Sequence, residues 1–98
     1  MFTIVIAELA REHLEGLRPF DRNRILDEIG WQLRSSPTVV TARRTMLVGA
    51  TPSFEHVQPI WQLRVGDFRV VYDVDRSERV VIVRAVLRKG QQRTGEIL

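Results

Sequence analysis

Trp61-Gln62-Leu63-Arg64-Val65-Gly66-Asp67-Phe68-Arg69-Val70-Val71-Tyr72-Asp73-Val74 reads as two strands joined by a turn. Trp61, Leu63 and Val65, then Phe68, Val70, Tyr72 and Val74, fall on one side. Gln62, Arg64, Arg69 and Asp73 fall on the other. Alternation with period two marks a half-buried strand, because successive side chains leave opposite faces of the pleat. Gly66-Asp67 supplies the reversal, so the two runs form a hairpin with a short or bulged turn. After the polar break Asp75-Arg76-Ser77-Glu78 comes Arg79-Val80-Val81-Ile82-Val83-Arg84-Ala85-Val86-Leu87-Arg88, too β-branched to favour a helix. Three consecutive antiparallel strands with arginines on one face follow from this reading.

Working outward, Phe2–Ile6 is expected to be a short strand with Phe2, Ile4 and Ile6 on one side. A helix is expected from about Ala7 to Gly16, carrying Ala7, Ala10, Leu14 and Leu17 at helical spacing and Glu8, Glu12 and Glu15 toward water. A second helix is expected to start at Asp21 as N-cap, with Phe20 stapled to Ile25, and to bury Ile25, Leu26, Ile29 and Leu33. Gly30 suggests a close approach to a neighbour. Trp31, off the stripe, is expected to rest on the following loop, the alternative being exposure to a partner. Ser35-Ser36-Pro37 ends the helix. Residues 38–59 read as loop, with a short extended segment over Arg43–Val48. The predicted class is α+β: an N-terminal strand and two antiparallel helices packed on one face of an antiparallel sheet, closed by a C-terminal three-stranded meander.

Ninety-eight residues make a single domain, 1–98. Without cysteine there are no disulfides or thiolate metal sites. His13 and His56 stand far apart with no carboxylate pair at ligand spacing, so no metal is expected. Asp67, Asp73 and Asp75 are better explained by turns and strand ends. The opening Met1-Phe2-Thr3-Ile4-Val5-Ile6 lacks a secretory pattern, and no apolar run approaches the roughly 20 residues of a membrane span. A cytoplasmic location without membrane association is therefore expected. The net charge of +3 is unevenly placed. Residues 1–59 hold seven basic and seven acidic side chains, whereas residues 60–98 hold eight against five. Arg84, Arg88, Lys89 and Arg93 precede the last acid, Glu96. Such a field attracts phosphate or an acidic protein.

The order of elements, the hairpin from Gln62 to Val74 and the valine-rich closing strand resemble the RelE/ParE superfamily of type II toxins. The hairpin is similar to that family's Leu-Arg-x-Gly-x-aromatic-Arg pattern, and Arg43-Arg44 with Leu47 stand where members carry a basic-plus-leucine segment. The resemblance implies a small toxin neutralised by a cognate antitoxin with an acidic tail that folds over the positive sheet face. It implies either a ribosome-dependent, metal-independent mRNA endonuclease or, alternatively, a DNA gyrase inhibitor that cuts no RNA. A degenerate toxin acting through its antitoxin is the third possibility. No cofactor is expected.

In the endonuclease mechanism the ribose 2′-hydroxyl attacks the adjacent phosphorus. A base takes its proton, an acid protonates the leaving 5′-oxygen, and cations hold the pentacoordinate charge. The resemblance assigns Arg69 to the phosphate, and Arg88 and Lys89 to charge stabilisation or proton donation. Arg64, Arg84 and Arg93 are the expected RNA contacts. For Arg69 the structural alternative is a same-face pair with Asp73. The chain departs from the family at Ile60 and Gln62, where efficient RelE-type enzymes carry lysines, and in lacking a C-terminal tyrosine. Tyr72 falls in the core register; Glu96 or His56 is the candidate proton acceptor.

Overall fold

The computed structural model describes residues 1–89; Arg93 and Glu96 lie outside them. The elements run β1 (Thr3–Ile6), α1 (Glu8–Glu15), α2 (Pro19–Leu33), β2 (Arg44–Leu47), β3 (Ile60–Val65), β4 (Phe68–Asp75) and β5 (Val80–Arg88). The strands form one sheet in the order β1-β5-β4-β3-β2. The expected meander is β3-β4-β5, and the extended segment after Arg43 becomes a further edge strand, β2. The sheet is mixed rather than wholly antiparallel, because β1 runs parallel to β5, pairing Thr3 with Val80 through Ile6 with Val83. Two crossing helices between β1 and the rest make this parallel return possible.

Both helices cover the same face. Ala10 and Leu14 of α1 and Ile25, Ile29 and Leu33 of α2 pack on Trp61, Leu63, Val65, Phe68, Val70, Tyr72, Val81, Val83 and Val86. The period-two face of the hairpin is the core face, and Trp61 stacks on its cross-strand partner Tyr72 at 6.4 Å between ring centroids.

Four local expectations are corrected. Helix α2 begins at Pro19, not at an Asp21 cap. Proline's fixed φ and missing N–H suit the first helical position, and Asp21 instead accepts from Arg18 inside the first turn, at 3.4 Å. Phe20 is exposed, so it staples nothing. A Cβ on Gly30 would meet no atom within 4 Å, so no neighbour approaches there. Trp31 is 82% exposed. The following loop is held on the sheet side instead, by the Tyr72 hydroxyl donating to the Pro37 carbonyl (2.6 Å) and by Arg44 donating to the Ser36 carbonyl (2.7 Å).

Arg44 is itself buried on the helix-covered face opposite Leu63. Its Nη1 also donates to the Gln32 carbonyl and to Ser36 Oγ. These are acceptors at the C-terminal end of α2, where a cation complements the helix dipole. Its Nε is buried without a partner among the described residues.

One register shift decides which side chains share a face. Tyr72 pairs with Val83 but Val71 pairs with Ala85, so Arg84 is the extra residue of a β-bulge. Before it, the odd residues of β5 face the helices; after it, the even ones do. The backbone of β5 beyond β1 finds other partners: the Ala7 N–H donates to Val83 O (2.9 Å), and the Val86 N–H donates to His13 Nδ1 (3.1 Å).

His13 thus ties α1 to the sheet as a neutral acceptor. Burial lowers its pKa from 6.5, with Glu12 opposing more weakly. Below that unfolded value the unfolded chain takes up the proton more readily than the native one. Stability is therefore expected to be insensitive to this group above pH 6.5, to fall as the pH drops from there toward the lower folded pKa, and to level off below it. Urea unfolding across that window should show the slope in the wild type and a flatter profile in His13→Asn. Equal slopes would show that His13 does not couple folding to protons.

Candidate anion-binding face

On the face away from the helices, Arg64 of β3 and Arg69 of β4 are direct cross-strand partners. Directly opposed side chains of this kind have Cβ atoms roughly 4.5–5.5 Å apart, and like charges there destabilise a sheet. Arg64 is exposed and Arg69 half-exposed, and neither forms an ion pair with any described residue. Arg69 Nη1 reaches only its own hairpin's backbone, the Phe68 carbonyl at 3.1 Å and the Gly66 carbonyl at 3.4 Å. The turn that brings the pair together has Gly66 at φ +56°, a backbone conformation that glycine adopts without a Cβ penalty. A sheet retaining two opposed guanidinia breaks a local stability rule, which is where an anion site is to be sought.

The other expected site residues are placed differently. Arg84 occupies the bulge, and its guanidinium clasps Asp73, with Nε 2.7 Å from Oδ2 and Nη2 3.3 Å from Oδ1. Glu55 approaches it at 3.4 Å, and Asp73 Oδ2 also accepts the Val57 N–H at 2.9 Å. Asp73 therefore belongs to Arg84 and not to Arg69. This clamp draws the β2–β3 segment over part of the sheet face that was expected to stand open. Beneath it Ile60, Val71, Asp73 and Ala85 are buried outside the main core cluster. Asp73 lies four residues along β4 from Arg69, roughly 13 Å at the usual rise, so Arg84 lies apart from the arginine pair.

Arg88 is at the hairpin-turn end of the sheet, as the arginine pair is, but on the other face. It pairs with Phe68, and its guanidinium sits over that ring at 4.5 Å. Leu87, not Arg88, stands opposite Arg69. Without a bulge Arg84 and Arg88 would share a side; the inserted residue separates them. Lys89 is exposed beside the hairpin turn, its N–H donating to Asp67 O (2.6 Å).

No described side chain near the pair is set up as a proton acceptor. Burial pushes the pKa of Tyr72 far upward, and its hydroxyl is spent on Pro37. His56 Nδ1 is hydrogen-bonded to the Phe54 carbonyl at 2.9 Å, on the segment over Asp73. His13 is bound to β5. Ile60, where a lysine stands in efficient relatives of the resembled family, is fully buried. Among the described residues no group of three His, Cys, Asp or Glu is placed to hold a metal. None of the described helices is long and apolar enough to cross a membrane.

Residues 4–93 match the sequence profile of a family described as the ParE toxin of type II toxin-antitoxin systems. This chain belongs to the RelE/ParE family of type II toxins. Its fold is that of solved RelE-type toxins. Compared with the archaeal RelE of a RelE–RelB complex from Pyrococcus horikoshii, the TM-score is 0.70 at 19% identity, covering 93% of this chain and 98% of that one. The isolated RelE toxin of E. coli gives 0.71 at 17% identity over 98% and 93% of the two chains. The toxin-antitoxin complex RelBE2 of Mycobacterium tuberculosis gives 0.64 at 18% identity, covering 90% and 98%. Sequence comparison with curated proteins finds no match. The RelE/ParE assignment thus rests on the profile, and the RelE structures establish the arrangement of strands and helices.

What the sequence reading missed in this toxin are arginines outside the hairpin. Arg24 and Arg43 line a cavity beside Arg64. Arg44 is an internal helix-end partner. A charge on a helix or at a strand start carries no periodic signal that separates these roles.

Proposed function

We propose that this toxin grips the RNA backbone at the Arg64–Arg69 pair and acts as a ribosome-dependent mRNA endonuclease. The pair itself supports the reading: two guanidinia without an ion-pair partner among the described residues, on one exposed patch of sheet adjacent to the turn where Lys89 emerges. Guanidinium forks bind phosphate oxygens in pairs and hold charge that develops on them. Arg69 would carry the charge of the pentacoordinate phosphorus, Arg64 would position the strand, and Lys89 would assist the leaving 5′-oxygen. The acceptor for the 2′-proton would come from outside residues 1–89, with Glu96 the candidate in this chain. Arg93 would extend the same contact, whereas Arg84 and Arg88 would act through the clamp and the Phe68 stack. In the cytoplasm the partner that neutralises the chain would be a RelB-like antitoxin, as in the solved RelE–RelB and RelBE complexes. An acidic segment laid across the pair would block it, folding as it binds.

A second reading is favoured by the sealed Tyr72 and the occupied histidines: a toxin that inhibits DNA gyrase and leaves RNA intact. Primer extension on a translated reporter after induction separates the two. New 5′ ends within the reading frame are expected. Intact transcripts together with loss of plasmid supercoiling would replace the endonuclease reading with the gyrase one.

A further inference from the structure

We infer that a second phosphate subsite lies beside the Arg64–Arg69 pair, in the corner between α2, the start of β2 and the hairpin turn. Arg24, Arg43, Arg64 and Gly66 line a cavity there of about 250 Å³, with Glu28 and Val65. The corner exists because β2 begins one residue late. Arg43 O accepts the Arg64 N–H (2.8 Å), the first pair of the ladder is Arg44 with Leu63, and β3 runs on toward its turn without that neighbour.

Arg24 reaches the turn from the helix. A Cβ on Gly66 would stand 2.8 Å from Arg24 Nη1 and 3.2 Å from its Cζ, so the bare glycine backbone makes room for this guanidinium. Three arginines therefore line one concavity with, among the described residues, a single carboxylate. That carboxylate is Glu28, 3.8 Å from Arg43 Nη1 and 3.3 Å from the Gln32 amide. It offsets one charge and leaves two.

Like charges gathered in a concavity favour a bound anion. Forks entering from three elements suit a tetrahedral oxyanion better than a planar carboxylate, which one fork already saturates. Arg64 belongs to both sites, opposing Arg69 across the ladder while lining the cavity. The subsite thus takes the phosphodiester next to the one at Arg69, and Arg24 and Arg43 are RNA-binding residues. This rests on the RNA reading proposed above.

The test is fluorescence anisotropy of a short oligouridylate with the purified chain at several salt concentrations. Alongside, the Gly66 amide is followed by NMR during titration with inorganic phosphate. Arg24→Gln with Arg43→Gln is expected to weaken oligouridylate binding about tenfold, as for charged hydrogen bonds lost. It should also lower the salt slope by about 0.7, one phosphate contact on a single strand, and abolish the Gly66 response. Arg24→Lys with Arg43→Lys, which keeps the charge and the fold, should preserve the slope while losing affinity.

Wild-type affinity and slope in the double Gln variant, with binding lost in Arg69→Gln, would overturn the subsite and leave the RNA reading standing. If the wild type ignores oligouridylate while polyglutamate shifts Gly66 and the double Gln variant does not respond, the phosphate assignment falls together with the RNA reading.

Discussion

Asp73→Ala is expected to destabilise the toxin by about 3–5 kcal/mol, the usual result of removing one partner from a buried ion pair. The side chain of Asp73 is 2% exposed and that of Arg84 11%. The substitution strands the guanidinium and also leaves the Val57 N–H without its acceptor. Small domains have only about 5–15 kcal/mol of total stability, so the variant should be substantially unfolded at moderate urea concentration. The β2–β3 segment should loosen first, since Asp73 is its tie to the sheet. Replacing both partners, Asp73→Leu with Arg84→Met, should recover most of the loss, because no buried charge is then left alone. Urea denaturation of the purified chain measures this. A shift under 1 kcal/mol for the single variant would mean that water compensates the pair.

Arg69→Ala is expected to abolish growth arrest while leaving the fold intact. Among the described residues it hydrogen-bonds only two backbone carbonyls of its own hairpin, so the stability change should stay within about 0.5 kcal/mol. It also removes one of two opposed like charges, which acts in the stabilising direction. The expected cost is to activity: loss of a group that holds developing charge lowers turnover by about 10²–10³. Reporter cleavage on induction should fall by that factor. Arg69→Lys should lie between, since a lysine keeps the charge and loses the fork. Full toxicity of the alanine variant at wild-type expression would remove the hairpin pair from the mechanism.

The contrast between these two residues shows how far side-chain patterns carry. Arg69 and Asp73 lie on the same face of one strand, so alternation alone leaves a same-face pair open as an alternative to phosphate binding. Asp73 is instead taken by Arg84 of the neighbouring strand, and among the described residues Arg69 has no ion-pair partner and stands opposite Arg64. Arg84-Ala85 interrupts the valine run at the β5 bulge, but without a glycine nothing in that dipeptide distinguishes a bulge from an ordinary solvent-facing arginine. Arg44 gives the same lesson, because its burial depends on helix-end carbonyls from a segment 8–12 residues earlier.

Alternation of apolar residues in the hairpin and the 3.6-residue stripes of the helices were enough to establish an α+β platform with arginines on its uncovered side. These periodicities report a burial that each element undergoes in the same way whatever its neighbours. The parallel seating of β1 on β5, the transfer of Arg88 to the helix side, the cover over Ile60 and the meeting of Arg24 with Arg43 were settled only by tertiary structure. They depend on register and on contacts between distant segments, where a single inserted residue reverses every face that follows it.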